Sequence, residues 1–319
     1  MQSGESDRAT SPAPAPGGLP PVEPPSGRFI VQLFVVPGVI VLAVVLVLMA
    51  IAYSTSQNTP EYYLARLDSD NADIRWRAAS DLAQILKRPE GGSLRWKADA
   101  HFGLELAERL RKSLHDLADA EAEVQQKLAL NQQQMKEHGR TMSAAEVDVA
   151  WRRIAPLRNH VSFLASALGD LHVPVGVPLL ADMCLADSSP DINGSTLQRR
   201  KALWSLANLG ANTRGFAKLP ADKQTEALSV LRTEAAAATP RGAWARTALD
   251  CLGEPSANRD GVIRVDEVLA RCAESPDRFL REQVAQALNF WDGPLAEPTL
   301  LKLQRDDGHG TLLRVRGQD

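Results

Sequence analysis

Hydrophobic positions beyond Thr59 recur every three or four residues, which is the spacing of one face of an α-helix. Five segments share this spacing, and most of them carry an Arg three residues before the first apolar position. They are IRWRAASDLAQIL, LRNHVSFLASALGDL, LQRRKALWSLANLG, GAWARTALDCLG and LREQVAQALNF, with equivalent positions at Ala78, Val161, Ala202, Ala245 and Val284. Strand-type alternation is scarce in this region, so the pattern predicts an all-α fold.

The equivalent positions are regularly spaced along the chain. The last four are 41, 43 and 39 residues apart, and the first gap of 83 residues equals about two such intervals. A second apolar-periodic helix follows each of the last four segments: VGVPLLADMCLA, TEALSVLRTEA, VDEVLARCAES and EPTLLKLQR. Neither helix of a pair can bury its apolar stripe alone, so the period of about forty residues predicts stacked helical hairpins.

The entry loops DSDNADIR and SPDRFLR, the Arg in the first helical turn and the segment SALGDLHVPVGVPLL resemble the HEAT-repeat family of armadillo-like proteins, in the form of a bacterial membrane-anchored member. The resemblance covers most of residues 60–319 and implies a right-handed α-solenoid that binds other proteins. In that family, entry-loop Asp and first-turn Arg residues bond between adjacent repeats. The matching residues are Asp73, Arg75, Arg158, Arg199, Asp277 and Arg281. Gly242 replaces the Arg in the fourth copy.

A helical insertion at about residues 101–155 separates the first two copies. Apolar residues recur at helical spacing from His101 to His138, which predicts one long helix ended by Gly139. Ser143 and Glu146 have the spacing of a capping box, which predicts a following helix that stops at Pro156. The long helix is interpreted either as half of an elongated hairpin or as a helix for dimerisation or partner binding.

The first sixty residues predict a membrane location. Residues 1–28 are rich in Pro and Gly, which predicts a disordered tail that acts as a spacer or as a proline-rich ligand. Residues 29–53 are apolar apart from Gln32 and are long enough for a transmembrane helix, with 54–59 as a linker to the repeat domain at 60–319. The alternatives are a buried core helix and a signal peptide cleaved near Ala50-Ile51-Ala52.

The charges beside the apolar segment predict its orientation. Arg28 precedes it, whereas Glu61, Asp68 and Asp70 follow it. Because cytoplasmic flanks carry an excess of Lys and Arg, the sequence predicts a single-pass protein of the cytoplasmic membrane, with its N-terminus in the cytoplasm and its helical domain outside it.

Composition and motif spacing argue against two classes of function. The net charge of -3 and the pI of about 6.1 disfavour nucleic-acid binding, which needs clustered excess Lys and Arg. No nucleophile, phosphate-loop, dinucleotide or HExxH motif occurs, so no enzyme activity and no cofactor are predicted. Cys184, Cys251 and Cys272 are widely spaced and are interpreted as small buried hydrophobes. The alternative is one disulfide between two of them, if the folded region faces an oxidising compartment.

One segment has a weak resemblance to a calcium-binding loop. Asn258, Asp260 and Glu267 fall at ligand positions of an EF-hand loop that begins at Ser256, but Ser stands where an Asp is normal. The alternative interpretation is an ordinary loop between two helices, and this one is favoured.

These observations predict a membrane-anchored, non-catalytic scaffold for a membrane-associated protein partner, as an accessory of another membrane complex. The alternatives are a HEAT-like enzyme or metal-binding protein and a purely structural spacer; the oligomeric state is left open. Tryptophan is a frequent anchor in protein interfaces, and the candidate partner anchors are Trp76, Trp204, Trp244 and Trp291.

Overall fold

The computed structural model describes residues 27–56, 59–88, 93–186 and 194–307. Within these ranges every regular element is a helix and no strand occurs, which agrees with the predicted all-α class. The chain divides into two compact units, with the boundary between Asn58 and Thr59. Residues 1–26 of the predicted disordered tail and residues 57 and 58 of the predicted linker lie outside the described residues.

The first unit contains helix α1 (Gly27–Ser56), which covers the predicted transmembrane segment. No helix in the described ranges is both long enough and apolar enough to cross a membrane. The transmembrane helix at 29–53 and the single-pass membrane location are therefore wrong predictions.

The second unit consists of short and medium helices with one long exception. They are α2 (Pro60–Leu67), α3 (Ala72–Lys87), α4 (Ser93–Lys97), α5 (Ala100–Glu137), α6 (Ala144–Arg152), α7 (Ala155–Gly169), α8 (Val177–Leu185), α9 (Gly194–Thr213), α10 (Ala221–Ala235), α11 (Pro240–Cys251), α12 (Val265–Cys272), α13 (Arg278–Leu288) and α14 (Ala296–Asp307). A 3-10 turn at Phe216–Lys218 joins α9 to α10.

Four of these helices pack side by side in the order α3, α7, α9 and α13, and we call this set the helix row. The helices α2, α5, α8, α12 and α14 pack behind it as a second layer. The core lies between the layers, where equivalent positions such as Ala78, Val161, Ala202 and Val284 are fully buried. Small residues allow close approach within the row: a Cβ on Gly169 would lie 2.7 Å from the backbone oxygen of Ser205.

Helix α11, predicted as the fourth copy of the repeat, is not a member of the row. Its main neighbours are α10, α8 and α5, whereas α13 packs directly on α9. Gly242 shows the physical reason, because a Cβ there would lie 2.1 Å from the backbone oxygen of Ala237 in the tight turn after α10. The predicted period of about forty residues is therefore interrupted by the α10–α11 hairpin, which packs against the second layer.

The region of the predicted helical insertion contains one long helix followed by a short one. Helix α5 runs from Ala100 to Glu137, and Gly139 follows it with the left-handed φ of 67°. The capping box at Ser143 is present, with both reciprocal hydrogen bonds to Glu146. The predicted end at Pro156 is wrong, because α6 ends at Arg152 and Pro156 lies in the first turn of α7, where its missing N–H costs nothing.

Candidate functional site

The outer face of the helix row carries an exposed tryptophan near its centre. Trp204 of α9 is 51% exposed although the preceding residues Ala202 and Leu203 are buried. Leu197, which lies two helical turns before Trp204 on the same side of α9, is 53% exposed. Two large apolar side chains therefore face solvent from one stripe of a helix whose other sides are packed.

Aromatic and cationic side chains continue this surface across all four helices of the row. Trp76 of α3 stacks on Phe163 of α7 with ring centroids 6.5 Å apart. The Lys201 ammonium of α9 lies 5.8 Å from the centroid of the Phe163 ring. The Arg200 guanidinium lies 5.0 Å from the ring of Phe279, which begins α13 and is 62% exposed. We call this surface the row face.

A groove of about 440 Å³ borders the row face between α6 and α9. Its apolar walls include Val147 and Trp151 from α6 and Leu197 from α9. The Arg158 guanidinium at its floor lies over the Trp151 ring at 4.6 Å and pairs with Glu121 of α5 at 3.0 Å. This pair fixes the orientation of α6 against α5 and α7, so the groove has defined walls.

The predicted repeat-stacking residues make three kinds of contact. Asp277 bonds between helices of the row, because its carboxylate pairs with Arg200 of α9 at 2.8 Å. Arg158 reaches α5 rather than an adjacent copy of the repeat. Arg199 donates from its Nε to the backbone oxygen of Cys184 in α8, at 3.0 Å. These three residues therefore join separate helices, although only Asp277 does so in the way the resemblance implies.

The remaining stacking candidates act within their own entry loops. Arg75 donates to the backbone oxygen of Ser69 at 3.0 Å, and Arg281 donates to that of Ser275 at 2.8 Å. Both contacts span six residues, so the first and last entry loops share one geometry. The capping residue equivalent to Asp277 is Asn71, not Asp73 as expected from the resemblance.

Asp73 has a different contact, because its carboxylate accepts from the indole N–H of Trp76 at 3.2 Å. This bond holds the Trp76 ring beside Phe163. Asp73 therefore positions part of the row face instead of stacking two repeats.

Only part of the predicted tryptophan set lies on the surface. Trp204 is half exposed and Trp76 is partly exposed in its stack. Trp244 and Trp291 are 4% and 6% exposed, and the Trp291 indole donates to the backbone oxygen of Leu206 at 2.8 Å. Both are core residues that join layers of the fold, so they are unavailable as partner anchors.

In the weak calcium-loop candidate, the ligand atoms of Asn258 and Glu267 make local contacts, and the backbone of Asp260 does so too. The side-chain oxygen of Asn258 accepts from the backbone N–H of Asp260, and the Asp260 carbonyl accepts from Arg246. Glu267 pairs with Arg264 at 3.0 Å. No group of three or more His, Cys, Asp or Glu side chains in the described ranges is arranged to hold a metal ion. The segment fits the alternative interpretation, an inter-helix loop.

A second cleft, of about 490 Å³, lies where α9, α11 and α12 meet the loop before α14. Cys251 lines it, but burial and the neighbouring Asp250 charge raise the pKa of the Cys251 thiol to about 12. A protonated thiol is a poor nucleophile at neutral pH. The carboxylate of Asp266 is held by Arg264 and by the backbone N–H of Leu295. The cleft thus lacks an activated nucleophile.

All three cysteines are free thiols. Cys184 and Cys272 are buried where α8 meets α12, and the Cys272 thiol donates to the Cys184 carbonyl at 3.6 Å. They pack as small buried groups, in agreement with the favoured interpretation from the sequence.

Two titratable groups, one within α7 and one at its C-terminal cap, are buried without forming a catalytic pair. Burial lowers the pKa of His160 to about 4, and burial raises the pKa of Asp170 to about 6. The two residues are ten positions apart, about 15 Å along the helix axis. Neither group can transfer a proton to the other.

The sequence did not single out Lys201, Leu197, Phe163, Trp151 or Phe279. The signal available for Leu197 and Trp204 was their seven-residue spacing on the side of α9 away from Ala202. The other contributors depend on which helices are neighbours. Helical periodicity does not contain that information.

The chain was compared with protein-family models, with curated proteins and with solved structures, and none of the three comparisons finds a match.

Proposed function

We propose that this protein is a non-catalytic protein-binding scaffold of HEAT-like helical layers and that the row face is its binding surface. The observation that carries the proposal is Trp204, which is half exposed next to the exposed stripe position Leu197 on a helix whose other sides are packed. A folded chain gains free energy by burying such a side chain, so leaving it in solvent favours a role in an interface.

The surroundings of Trp204 match the composition of binding hot spots. Tryptophan and arginine are enriched in such sites, and rigid aromatic anchors lose little conformational entropy on binding. Here Trp76 and Phe163 are held by stacking, and Phe279 is held beside Arg200. The surface is therefore preorganised, which lowers the cost of association.

The alternative enzyme function lacks a comparable observation. The features that could serve catalysis are the cleft beside Cys251 and the separately buried groups His160 and Asp170. The thiol is kept protonated, and the His160 and Asp170 groups are buried and distant from each other. A scaffold requires neither feature, whereas a spacer gives no reason for the exposed aromatic residues.

Site-specific photo-cross-linking in the native cell tests the proposal. A photoactivatable phenylalanine analogue replaces Leu197 on the row face or, as a control, Thr225 on the exposed side of α10. We expect a discrete protein adduct from position 197, its loss in the Trp204→Ala background, and no equivalent adduct from position 225.

Two results would contradict the proposal. One is the absence of any row-face adduct at expression levels where the chain is folded. The other is an adduct at position 197 that persists unchanged in the Trp204→Ala background.

A further inference from the structure

The groove between α6 and α9 carries a positive charge at Lys201. Among the described residues, no carboxylate lies within 4.0 Å of the Lys201 ammonium, which lines the groove. The other charges of the groove are compensated, since Asp148 pairs with Arg152 and Arg158 pairs with Glu121. The groove therefore has a net charge of about +1, located at Lys201.

Lys201 is also partly removed from water. Burial, with a smaller effect of the nearby Lys87 charge, lowers its pKa. The side chain lies over the Phe163 ring, which supports a cation but does not neutralise it. A carboxylate brought to this ammonium would gain a charge-assisted hydrogen bond in a partly desolvated setting.

The groove walls near Lys201 carry large apolar side chains among polar ones. Val147 and Trp151 form one side, and Leu197 forms the other. This arrangement fits a side chain such as Leu or Phe next to an acidic residue. The volume of about 440 Å³ suits a few side chains of a peptide and is too small for a folded domain.

We propose that the partner presents an acidic peptide segment to this groove, with one carboxylate bound to Lys201 and an adjacent apolar side chain between Trp151 and Leu197. This inference rests on the proposed function, and it specifies the chemistry of the partner. Binding at Trp204 provides affinity, and the Lys201 contact selects negative charge.

The test is a selection of random twelve-residue displayed peptides on the immobilised full-length chain. We expect the wild-type chain to enrich peptides that place Asp or Glu beside Leu, Phe or Trp. The Lys201→Glu variant should bind the selected peptides at least tenfold more weakly and should enrich Lys or Arg instead. The control variant Lys112→Glu makes the same charge change on exposed α5 and should retain the acidic preference.

Other outcomes separate the two proposals. Enriched peptides that need Trp204 but carry no acidic preference would overturn the acidic-peptide inference and leave the scaffold function standing. Failure to enrich any peptide that depends on Trp204 or Lys201 would contradict both.

The sequence just before α9, residues 187–193, also contains two acidic residues, Asp187 and Asp191. If replacing residues 187–193 with Gly and Ser raised peptide binding more than tenfold, the chain's own segment would be the occupant and an external partner would be excluded.

Discussion

Helices α9 and α11 have closely similar apolar patterns but occupy different places in the fold. Helix α9 packs between α7 and α13 in the helix row, whereas α11 packs on α10 against the second layer. Ala202 and Ala245, the equivalent positions, are both fully buried. The pattern thus identifies the buried side of each helix correctly, but it does not identify the neighbour that covers that side.

The first-turn residues distinguish the two helices. Helix α9 has Arg199 three residues before Ala202. In α11 the equivalent position is Gly242, and an arginine, Arg246, instead follows Ala245 directly. Arg246 is 4% exposed and donates to the backbone oxygens of Ala235, Ala237 and Asp260. The departure from the repeat pattern at Gly242 therefore marks the helix that leaves the row.

The largest effect is expected from Gly242→Ala. The new Cβ would lie 2.1 Å from the Ala237 backbone oxygen, so the α10–α11 turn must move. We expect the free energy of unfolding to fall by about 4 kcal/mol, measured by urea denaturation.

Two matched substitutions set the scale for this effect. Gly169→Ala in the row should cost about 2 kcal/mol, because its Cβ meets backbone at 2.7 Å. Gly103→Ala meets only side-chain methyl groups, those of Val175 at 2.9 Å and Leu171 at 3.2 Å, and gains helix propensity, so it should cost less than about 1 kcal/mol. Equal losses of the free energy of unfolding for the three Gly→Ala variants would contradict the difference in packing around these glycines.

The next largest effect is expected from Arg246→Met. The change removes the donor from two backbone oxygens of the α10–α11 hairpin and from one in the loop after α11, and we expect a loss of about 3 kcal/mol. Arg281→Met in the row removes contacts with partly exposed carbonyls and should cost about 1 kcal/mol. Hydrogen exchange should show that Arg246→Met opens α10 and α11 before the row helices.

The pH dependence of stability should come from two row residues with opposite effects. The pKa of Asp170 is raised from 3.8 to about 6, so its charge lowers the free energy of unfolding as pH rises through that interval. Asp170→Asn should therefore stabilise the chain by about 2 kcal/mol at pH 7.5 and have little effect near pH 3.5.

His160 should make the free energy of unfolding change with pH in the opposite direction. Its pKa falls from 6.5 to about 4, so the folded chain keeps it neutral and stability is lost as pH falls through that interval. His160→Gln should flatten this loss, as measured by thermal unfolding between pH 7 and pH 4. A stability curve that is unchanged in both variants would show that neither residue is buried as described.

The smallest effect on stability is expected from Trp204→Ala. The side chain is half exposed, so its removal should cost less than about 1 kcal/mol while abolishing partner cross-linking. Trp291→Ala is the core counterpart, and its loss of packing and of the Leu206 contact should cost about 4 kcal/mol. A large stability loss at Trp204 would instead indicate a structural role.

Sequence reasoning located most local features of the second unit. It predicted the all-α class, the long helix from residue 101, the capping box at Ser143 and the burial of the equivalent positions, since each depends on residues close in the chain. Sequence reasoning failed for features that depend on contacts between residues distant in the sequence. Three features require knowledge of which helices are neighbours. They are the layer to which α11 belongs, the burial of Trp244 and Trp291, and the position of Lys201 over Phe163.

The first unit gives a different lesson. The apolar run at residues 29–53 predicted a transmembrane helix, but no helix in the described ranges meets the requirements for one. The apolar composition of the run was therefore an insufficient basis for predicting a membrane location.

The direct contact of α9 with α13 is the central claim, because the row face exists only if these helices are neighbours. Arg200 and Asp277 are joined at 2.8 Å, and Arg241 of α11 is joined to Glu105 of α5 at 2.7 Å. The measurement is cross-linking of double-cysteine variants of the full-length chain by a short bismaleimide, with peptide mapping. The account predicts links for 200 with 277 and for 241 with 105, and none for 241 with 277. A link between 241 and 277 without one between 200 and 277 would place α11 in the row and contradict the account.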